Sequence, residues 1–270
     1  MQEPPALSDN LAFMRTLTAG GIDLIYADPP FFTRRRHRTF NDVWPGVTAY
    51  VEWLDPRLRE MHRLLKPAGS LVVHCDWHAS HYIKVALDSI FGPERFINEI
   101  VWCYKSGGAS PKRRFSRKHD VLLWYAKGAD YYFAAPTEKS YNRGGKAYRF
   151  AGVAEYEDEN GWYTVVGMKD WWEMDMVGRT AGERTGYPTQ KPLRLLERVV
   201  ESCCPPRGVV GDFFCGSGTT LVAAERLGRR WVGCDESAEA VRVARKRLKE
   251  LPGLDSRACG RIEPDDSESA

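Results

Sequence analysis

The amino-acid sequence predicts an α/β fold: a doubly wound, mostly parallel sheet with helices on both faces and an irregular subdomain inserted between its halves. Three observations predict it. Residues 1–130 alternate short apolar runs with stretches of helical period, residues 187–252 resume that alternation, and residues 131–186 break it. The 270 residues suffice for one large domain carrying such an insertion.

Ile22-Asp23-Leu24-Ile25-Tyr26-Ala27 is an apolar run ended by Asp28-Pro29-Pro30, hence a buried strand stopped by proline. Leu54, Leu58, Met61, Leu64 and Leu65 recur at helical spacing, and Pro67 with Gly69 ends that helix. Residues 70–75 read as the next strand, 82–91 as a helix closed by Gly92-Pro93, and 97–104 and 121–125 as further strands. Such βαβ alternation favours parallel pairing. Residues 131–186 are rich in Gly, Tyr and charge and hold Trp162, Trp171 and Trp172, so a small packed core is expected there rather than disorder. Pro192 opens a helix with an apolar stripe of Leu193, Leu196, Val199 and Val200. Residues 209–214 form a strand, followed by a glycine turn and a helix through Leu227; residues 231–234 form another strand, ending at Asp235. Ser237 caps the last helix, which turns Val241, Ala244 and Leu248 inward. Residues 253–270 make an acidic tail expected to be disordered.

Composition narrows the class of protein. The chain is 43% hydrophobic and 28% charged, and no apolar run is long enough to cross a bilayer. Met1 to Asp9 offer no basic n-region or apolar h-region of a secretion signal. Seven cysteines follow no C-x-x-C spacing, and adjacent Cys203 and Cys204 suit buried thiols in a reducing cytoplasm. His74, Cys75, Asp76, His78 and His81 match no established ligand spacing, so no metal site is expected.

The net charge of +3 conceals an asymmetry. Without the four acids of the last eight residues, 39 basic residues face 32 acidic ones, a charge of +7. Two runs concentrate it: Arg34, Arg35, Arg36 and Arg38 in one; Lys105, Lys112, Arg113, Arg114, Arg117 and Lys118 in the other. Neither holds an acid, and each follows a strand, a pattern that suits a phosphate backbone better than two solvated loops.

Two motifs carry the chemistry. In Asp212-Phe213-Phe214-Cys215-Gly216-Ser217-Gly218-Thr219 a strand meets a Gly-x-Gly turn that opens a helix, where free backbone N–H groups face a ligand. Asp235, nineteen residues beyond Gly216, stands where doubly wound folds place an acid for ribose hydroxyls. The third glycine of a dinucleotide site, expected near Leu221, is missing. Asp212 suits a cationic ammonium better than a pyrophosphate. The second motif is Asp28-Pro29-Pro30-Phe31. A carboxylate and a proline carbonyl are both acceptors and together can hold the two hydrogens of one NH₂ group, while Phe31 offers a flat face for a base. An ordinary strand end with Phe31 in the core reads these four residues equally well.

Taken together, the motifs resemble those of the β group of DNA amino-methyltransferases, in which (D/N/S)PP(Y/F/W) precedes FxGxG. Asp9-Asn10-Leu11, with Leu17, resembles the acidic segment that this group uses near the cofactor adenine. Thr189-Gln190-Lys191-Pro192 resembles the segment lining its cofactor pocket. Arg113-Arg114-Phe115-Ser116-Arg117-Lys118-His119-Asp120 and, less closely, Asp42 with Trp44 are also similar, and the likeness runs from about residue 8 to 250. Phe213 departs by replacing a usual proline, to narrow the cofactor pocket or to pack beneath it, and Ser8 replaces a commoner glycine.

The resemblance implies a Rossmann-like class I methyltransferase fold in circularly permuted motif order, with S-adenosylmethionine as cofactor and DNA as partner. It implies Asp212, Phe214, Gly216, Ser217, Gly218 and Thr219 around the methionine moiety, Asp235 at the ribose, Asp9 at the adenine, and Thr189 and Lys191 along the pocket. Asp28, Pro29, Pro30 and Phe31 become the catalytic set. Arg34, Arg35, Arg36, Lys112, Arg113, Arg114 and Arg117 become DNA contacts, and residues 131–186 a target-recognition region. An initial Asp in the tetrapeptide favours adenine N6 over cytosine N4, and members of this group often form homodimers. Methylation of cytosine N4 or of RNA adenine, a DNA-binding module without activity, and a nicotinamide dehydrogenase remain as rivals. Neither the recognition sequence nor a restriction partner can be read.

Overall fold

A computed structural model describes residues 3–36, 39–105 and 111–251. Arg38 of the first basic run, residues 106–110 and the acidic tail lie outside the described residues.

In chain order the elements are β1 (Ala6–Leu7), α1 (Asn10–Arg15), β2 (Ile22–Ala27), β3 (Arg35–Arg36), β4 (Asn41–Asp42), α2 (Val47–Leu64), β5 (Leu65–Cys75), α3 (Ser80–Phe91), β6 (Phe96–Cys103) and β7 (His119–Ala126). The insertion adds β8 (Thr137–Tyr141), β9 (Glu155–Asp158), β10 (Gly161–Gly167) and β11 (Trp171–Glu173). The chain closes with α4 (Leu193–Cys203), β12 (Val209–Asp212), α5 (Thr219–Arg226), β13 (Arg230–Asp235) and α6 (Ala238–Lys249).

Eight strands form the central sheet in the order β1-β13-β12-β2-β5-β7-β6-β11. Pairing is parallel from β1 to β5 and again between β6 and β11, whereas β7 runs antiparallel to both neighbours. Between β6 and β7 the described residues 104–105 and 111–118 hold no helix, and antiparallel pairing needs no crossover. β2 is buried on both faces, as a run of apolar residues without polar alternation requires. On one side Leu54, Leu58 and Met61 of α2 and Ile83 and Leu87 of α3 cover Ile25 and Ala27. On the other, Leu195, Leu196 and Val199 of α4 and Ala223 of α5 cover Leu24 and Tyr26. Each such fully buried leucine or valine contributes about 1.5–3 kcal/mol.

Some details differ from expectation. The second helix stops at Leu64 and β5 begins at once, so Pro67 and Gly69 lie in a strand rather than behind a helix. Ile22 pairs with Leu65 and Leu24 with Ser70, so the residues between are bulged out, which removes the conflict with a proline that cannot donate to the ladder. In α4 it is Leu195, not Leu193, that lies fully buried. The insertion is less irregular than its composition suggests, for β8, β10 and β9 form a three-stranded antiparallel sheet with β10 at its centre. It has no buried core of its own. Trp172 is its one buried described residue, and β11 sets that ring among Trp102, Trp124 and Leu195 of the main domain. A single sheet layer with nothing packed across it cannot exclude water from its aromatic residues.

The site follows from the topology. From β12 the chain moves outward to β13, and from β2 it moves the opposite way to β5, so the strand order reverses between β12 and β2. Ligands of open α/β sheets bind at the carboxyl ends of strands at such a point. Asp212, Asp235 and Asp28 all stand there, the first two as last residues of β12 and β13 and the third just beyond β2.

Candidate active site

A cavity of about 590 Å³ opens at that edge, and its lining joins the two motifs that lie nearly two hundred residues apart. Asp28, Pro29, Pro30 and Phe31 line it from β2; Asp212, Phe214, Gly216, Ser217 and Thr219 line it from β12 and the turn after it. Asp9, Thr189, Lys191 and Asp235 line it as well.

At the β2 end, Lys191 Nζ donates to both oxygens of Asp28, at 2.8 and 2.6 Å, and lies 4.9 Å from the Phe31 ring centre. Lys191, expected along the cofactor pocket, lines the cavity, and its ammonium balances the carboxylate of the tetrapeptide. Tyr50 donates to the Pro30 carbonyl at 2.7 Å, and among the described residues no donor meets the Pro29 carbonyl. Asp42 shapes the segment that follows. Its buried carboxylate accepts from the backbone of Phe32 at 2.6 Å and of Thr33 at 2.9 Å, and from the Thr33 hydroxyl. That grip holds Phe32 and Arg34 at φ 61° and 62°, left-handed conformations that non-glycine residues seldom adopt.

A buried polar chain that sequence reading missed runs behind Asp28. Tyr26 Oη lies 2.6 Å from His74 Nδ1, His74 Nε2 lies 3.2 Å from Asp120, and Tyr104 Oη donates to Asp120 at 3.1 Å. His74 Nδ1 is also 4.0 Å from Asp28, and its ring lies between those of Phe31 and Trp102, with centres 5.5 and 5.4 Å away. Burial works to raise the Asp120 carboxyl, but the His74 hydrogen bond and charge, with Lys191 and Tyr104, outweigh it and hold it below its ordinary value. Burial and the Asp28, Asp212 and Asp120 charges push the Tyr26 phenol well up, so it stays a donor. No local signal in the sequence joins residues 26, 74 and 120. Only pairing of β2, β5 and β7 does.

At the β12 end, Asp212 is buried and accepts from the Phe214 backbone at 3.1 Å. Burial first, opposed by the Thr220 and Phe214 hydrogen bonds and reinforced by the Asp28 and Asp235 charges, pushes its carboxyl up to about 7. Asp235 accepts from the Gly216 backbone at 2.8 Å and the Ser237 backbone at 2.9 Å, closing the turn, yet burial still raises it. Glu236, the next residue, is exposed and also lines the cavity. Gly216 and Gly218 have φ of 49° and 75°. A Cβ on Gly218 would lie 2.7 Å from that of Ala244, and Gly218 is not among the lining residues: it lets α5 and α6 meet rather than approaching a ligand. Arg247 braces the turn by donating to the Ser217 carbonyl and the Thr219 hydroxyl, both at 2.9 Å. Phe213 is fully buried against Phe13 and is also part of the cavity lining. Asp9 caps α1, accepting from Ala12 at 2.9 Å, and pairs with Arg57 at 3.0 Å; Arg57 also donates to Asn10, whose amide donates to the Phe213 carbonyl.

The basic runs are exposed. Arg34, Arg35 and Arg36 stand at the β3–β4 ribbon, with Arg35 on the cavity lining. Lys112, Arg113, Arg114 and Arg117 occupy the β6–β7 loop, which leaves the same sheet edge as the cavity. Among the described residues no group of three potential ligands could hold a metal ion, and no helix is long and apolar enough to cross a membrane.

Known proteins place this geometry. The type II methyltransferase M.EcaI of Enterobacter cloacae is 29% identical over 310 aligned residues, covering 89% of this chain and 68% of its own. The DNA adenine methyltransferase YhdJ of Escherichia coli K12 is 27% identical, covering 89% and 80%. The PvuII DNA methyltransferase (cytosine-N4-specific) shares the fold with a TM-score of 0.67 at 19% identity, over 96% of this chain and 89% of that one. The M1.HpyAVI–SAM complex shares it at 0.58 and 22% identity, over 91% and 99%. A family model described as DNA methylase matches residues 22–246, a span that takes in both motifs and every strand of the central sheet except β1. The chain therefore belongs to the DNA methylase family, the S-adenosylmethionine-dependent methyltransferases of amino groups in DNA.

Proposed function

We propose that the chain methylates the N6 amino group of adenine at a specific site in DNA. One observation carries the reading: the Asp28 carboxylate and Pro29 carbonyl stand beside the Phe31 face in the same cavity as the glycine turn. The initial Asp of the tetrapeptide and the likeness to an adenine methyltransferase support adenine over cytosine.

The residues of the β12 end fit S-adenosylmethionine. A carboxyl buried with few donors and a raised pKa is left short of positive charge, and an ammonium supplies it. Asp212 would take that ammonium, Asp235 or Glu236 the ribose hydroxyls, and Asp9, Thr189 and Phe214 the remaining walls. Lys191 belongs with Asp28 in this reading. When bound, the cofactor supplies an electrophilic methyl group on a sulfonium.

The target base must leave the duplex to reach the cavity. Phe31 then stacks on it, while Asp28 and the Pro29 carbonyl accept its two amino hydrogens. Those bonds draw the nitrogen towards a pyramidal shape and free its lone pair from the ring. An aspartate is too weak a base to deprotonate a neutral aromatic amine. Lys191 fixes the carboxylate in place by donating to both of its oxygens, and the proton leaves to Asp28 after nitrogen has gained its methyl group. Positioning and electrostatics do most of the work. Residues 131–186 are proposed to select the site and the basic runs to hold phosphates, in a cytoplasmic enzyme.

Single-molecule sequencing of DNA from cells expressing the chain, with mass analysis of its nucleosides, tests this. N6-methyladenine at one repeated sequence is the expected result. N4-methylcytosine replaces the adenine reading, and no modified base in DNA overturns the proposal.

A further inference from the structure

Phe115 is 96% exposed, more than any other large hydrophobic residue described. It sits in residues 111–118, a segment with Lys112, Arg113, Arg114, Arg117 and Lys118 and no acid. An aromatic ring left in water on a cationic segment has its partner elsewhere. The loop is held at its base. The Arg117 guanidinium lies 3.3 Å from the Trp77 ring centre, Trp77 lies 3.6 Å from His78, and Asp76 holds the His78 ring at 2.8 Å. Tyr104 donates its backbone N–H to the Lys118 carbonyl at 3.0 Å, and the Lys105 N–H donates to Asp175 at 2.6 Å. Asp76 follows β5 and Tyr104 follows β6, two parallel strands whose ends share the sheet edge with Asp28. The loop that carries the ring therefore leaves the sheet on the side where the cavity opens.

We infer that Phe115 is a wedge that enters the base stack of the duplex at the place the target nucleotide vacates. The inference rests on the proposed action on duplex DNA. Extruding a base forfeits its stacking on both neighbours, and an apolar side chain slipped between base steps restores part of it. A ring stacked on a base is worth roughly ten- to a hundredfold in an equilibrium. The flanking cations hold the phosphates on either side and set the depth of insertion. An anionic membrane also attracts basic and aromatic residues, but a membrane loop has no reason to share the edge of a base-sized cavity.

The test uses the full chain, S-adenosylmethionine and two duplexes bearing the site found by sequencing, one fully paired and one with the target base mispaired. Phe115→Ala is expected to slow methylation of the paired duplex about 10–100-fold while binding it within threefold of wild type, since phosphates carry the affinity. A mispaired base leaves the stack readily, so on that duplex the variant should come within threefold of wild type. Phe115→Trp should retain most activity on both. An unchanged rate for Phe115→Ala on the paired duplex overturns the wedge. Equal losses on both duplexes also overturn it and make Phe115 a structural support of the loop. Unchanged methylation with weakened binding to phosphatidylserine vesicles would assign the ring to a membrane. No methylation of either duplex by wild type removes the proposed function itself, and the wedge with it.

Discussion

The two ends of the cavity manage charge in different ways. At the β12 end Asp212 accepts from the Phe214 backbone two residues on, Asp235 accepts from the Ser237 backbone two residues on and from the Gly216 backbone nineteen before it, and burial pushes the Asp212 carboxyl up to about 7. At the β2 end Asp28 is held by a lysine 163 positions away and backed by a histidine–aspartate pair from two other strands. A carboxyl satisfied only by its own turn can wait for a cation and ionise when one arrives. A carboxylate that must accept from a neutral amine has to be held in place beforehand, and a fixed ammonium 2.6 Å away does that.

The comparison breaks most easily at Asp28. Replacing it with alanine should abolish methyl transfer, a loss of at least about a thousandfold, with cofactor affinity nearly unchanged. Turnover within tenfold of wild type in a methyl-transfer assay would show that the carboxylate is not the amine acceptor.

Lys191→Met separates the two ends next. If the lysine serves Asp28, kcat should fall about 10–100-fold through loss of a charge-assisted pair, and the cofactor dissociation constant should move little. The opposite split, a weakened cofactor with intact kcat, would return Lys191 to the cofactor wall.

Asp235→Ala should weaken cofactor binding by about 1.5–3 kcal/mol, and Glu236→Ala by less. Since Asp235 also closes the glycine turn, calorimetric titration of both variants decides which acid takes the ribose: a larger loss for Glu236→Ala makes Asp235 purely structural.

The Asp212 carboxyl gives the smallest and most diagnostic effect. If only its ionised form receives the ammonium, cofactor affinity should climb as pH rises from 6 towards 8, by about tenfold in all, and binding near pH 7 should release a proton. Asp212→Asn should bind more weakly and without that pH dependence. For the free protein the sign is opposite. The folded carboxyl titrates at about 7, above its unfolded value, so its contribution to stability is complete below pH 4 and is lost as pH rises through 7. Thermal melts of the parent and the Asn variant across pH 4–8 check this, and parallel curves would contradict the raised value.

The difference between the ends also explains what could be read in advance. The β12 end is local: strand, glycine turn, helix and the acid after the next strand lie within 24 residues, from Asp212 to Asp235, and the structure keeps all of them around one turn. Even there, Gly218 serves helix packing instead of the pocket, because the approach of Ala244 depends on where α6 lies. The β2 end is not local, so Asp28 and Phe31 were legible as a motif while the pairing of Lys191 with Asp28 and the chain through His74 and Asp120 were not. The insertion was harder still. Its strands alternate too little apolar surface to announce themselves, and Trp172 belongs to a core that its own segment does not contain.

Chain-local physics determined much of this protein. Apolar period set most strands and helices, Pro29 and Gly92 marked the ends of β2 and α3, and strand–helix alternation pointed to a doubly wound sheet with its site at the strand ends. Tertiary structure alone decided which charges meet. The strand order β12-β2-β5-β7 brings Asp212, Asp28, His74 and Asp120 to one edge, and the segment leading into α4 delivers Lys191 to it. Secondary structure is encoded over a few residues because backbone hydrogen bonds and side-chain period are short-ranged. Electrostatic partners depend on distance in space, which the sequence sets only after the sheet has closed.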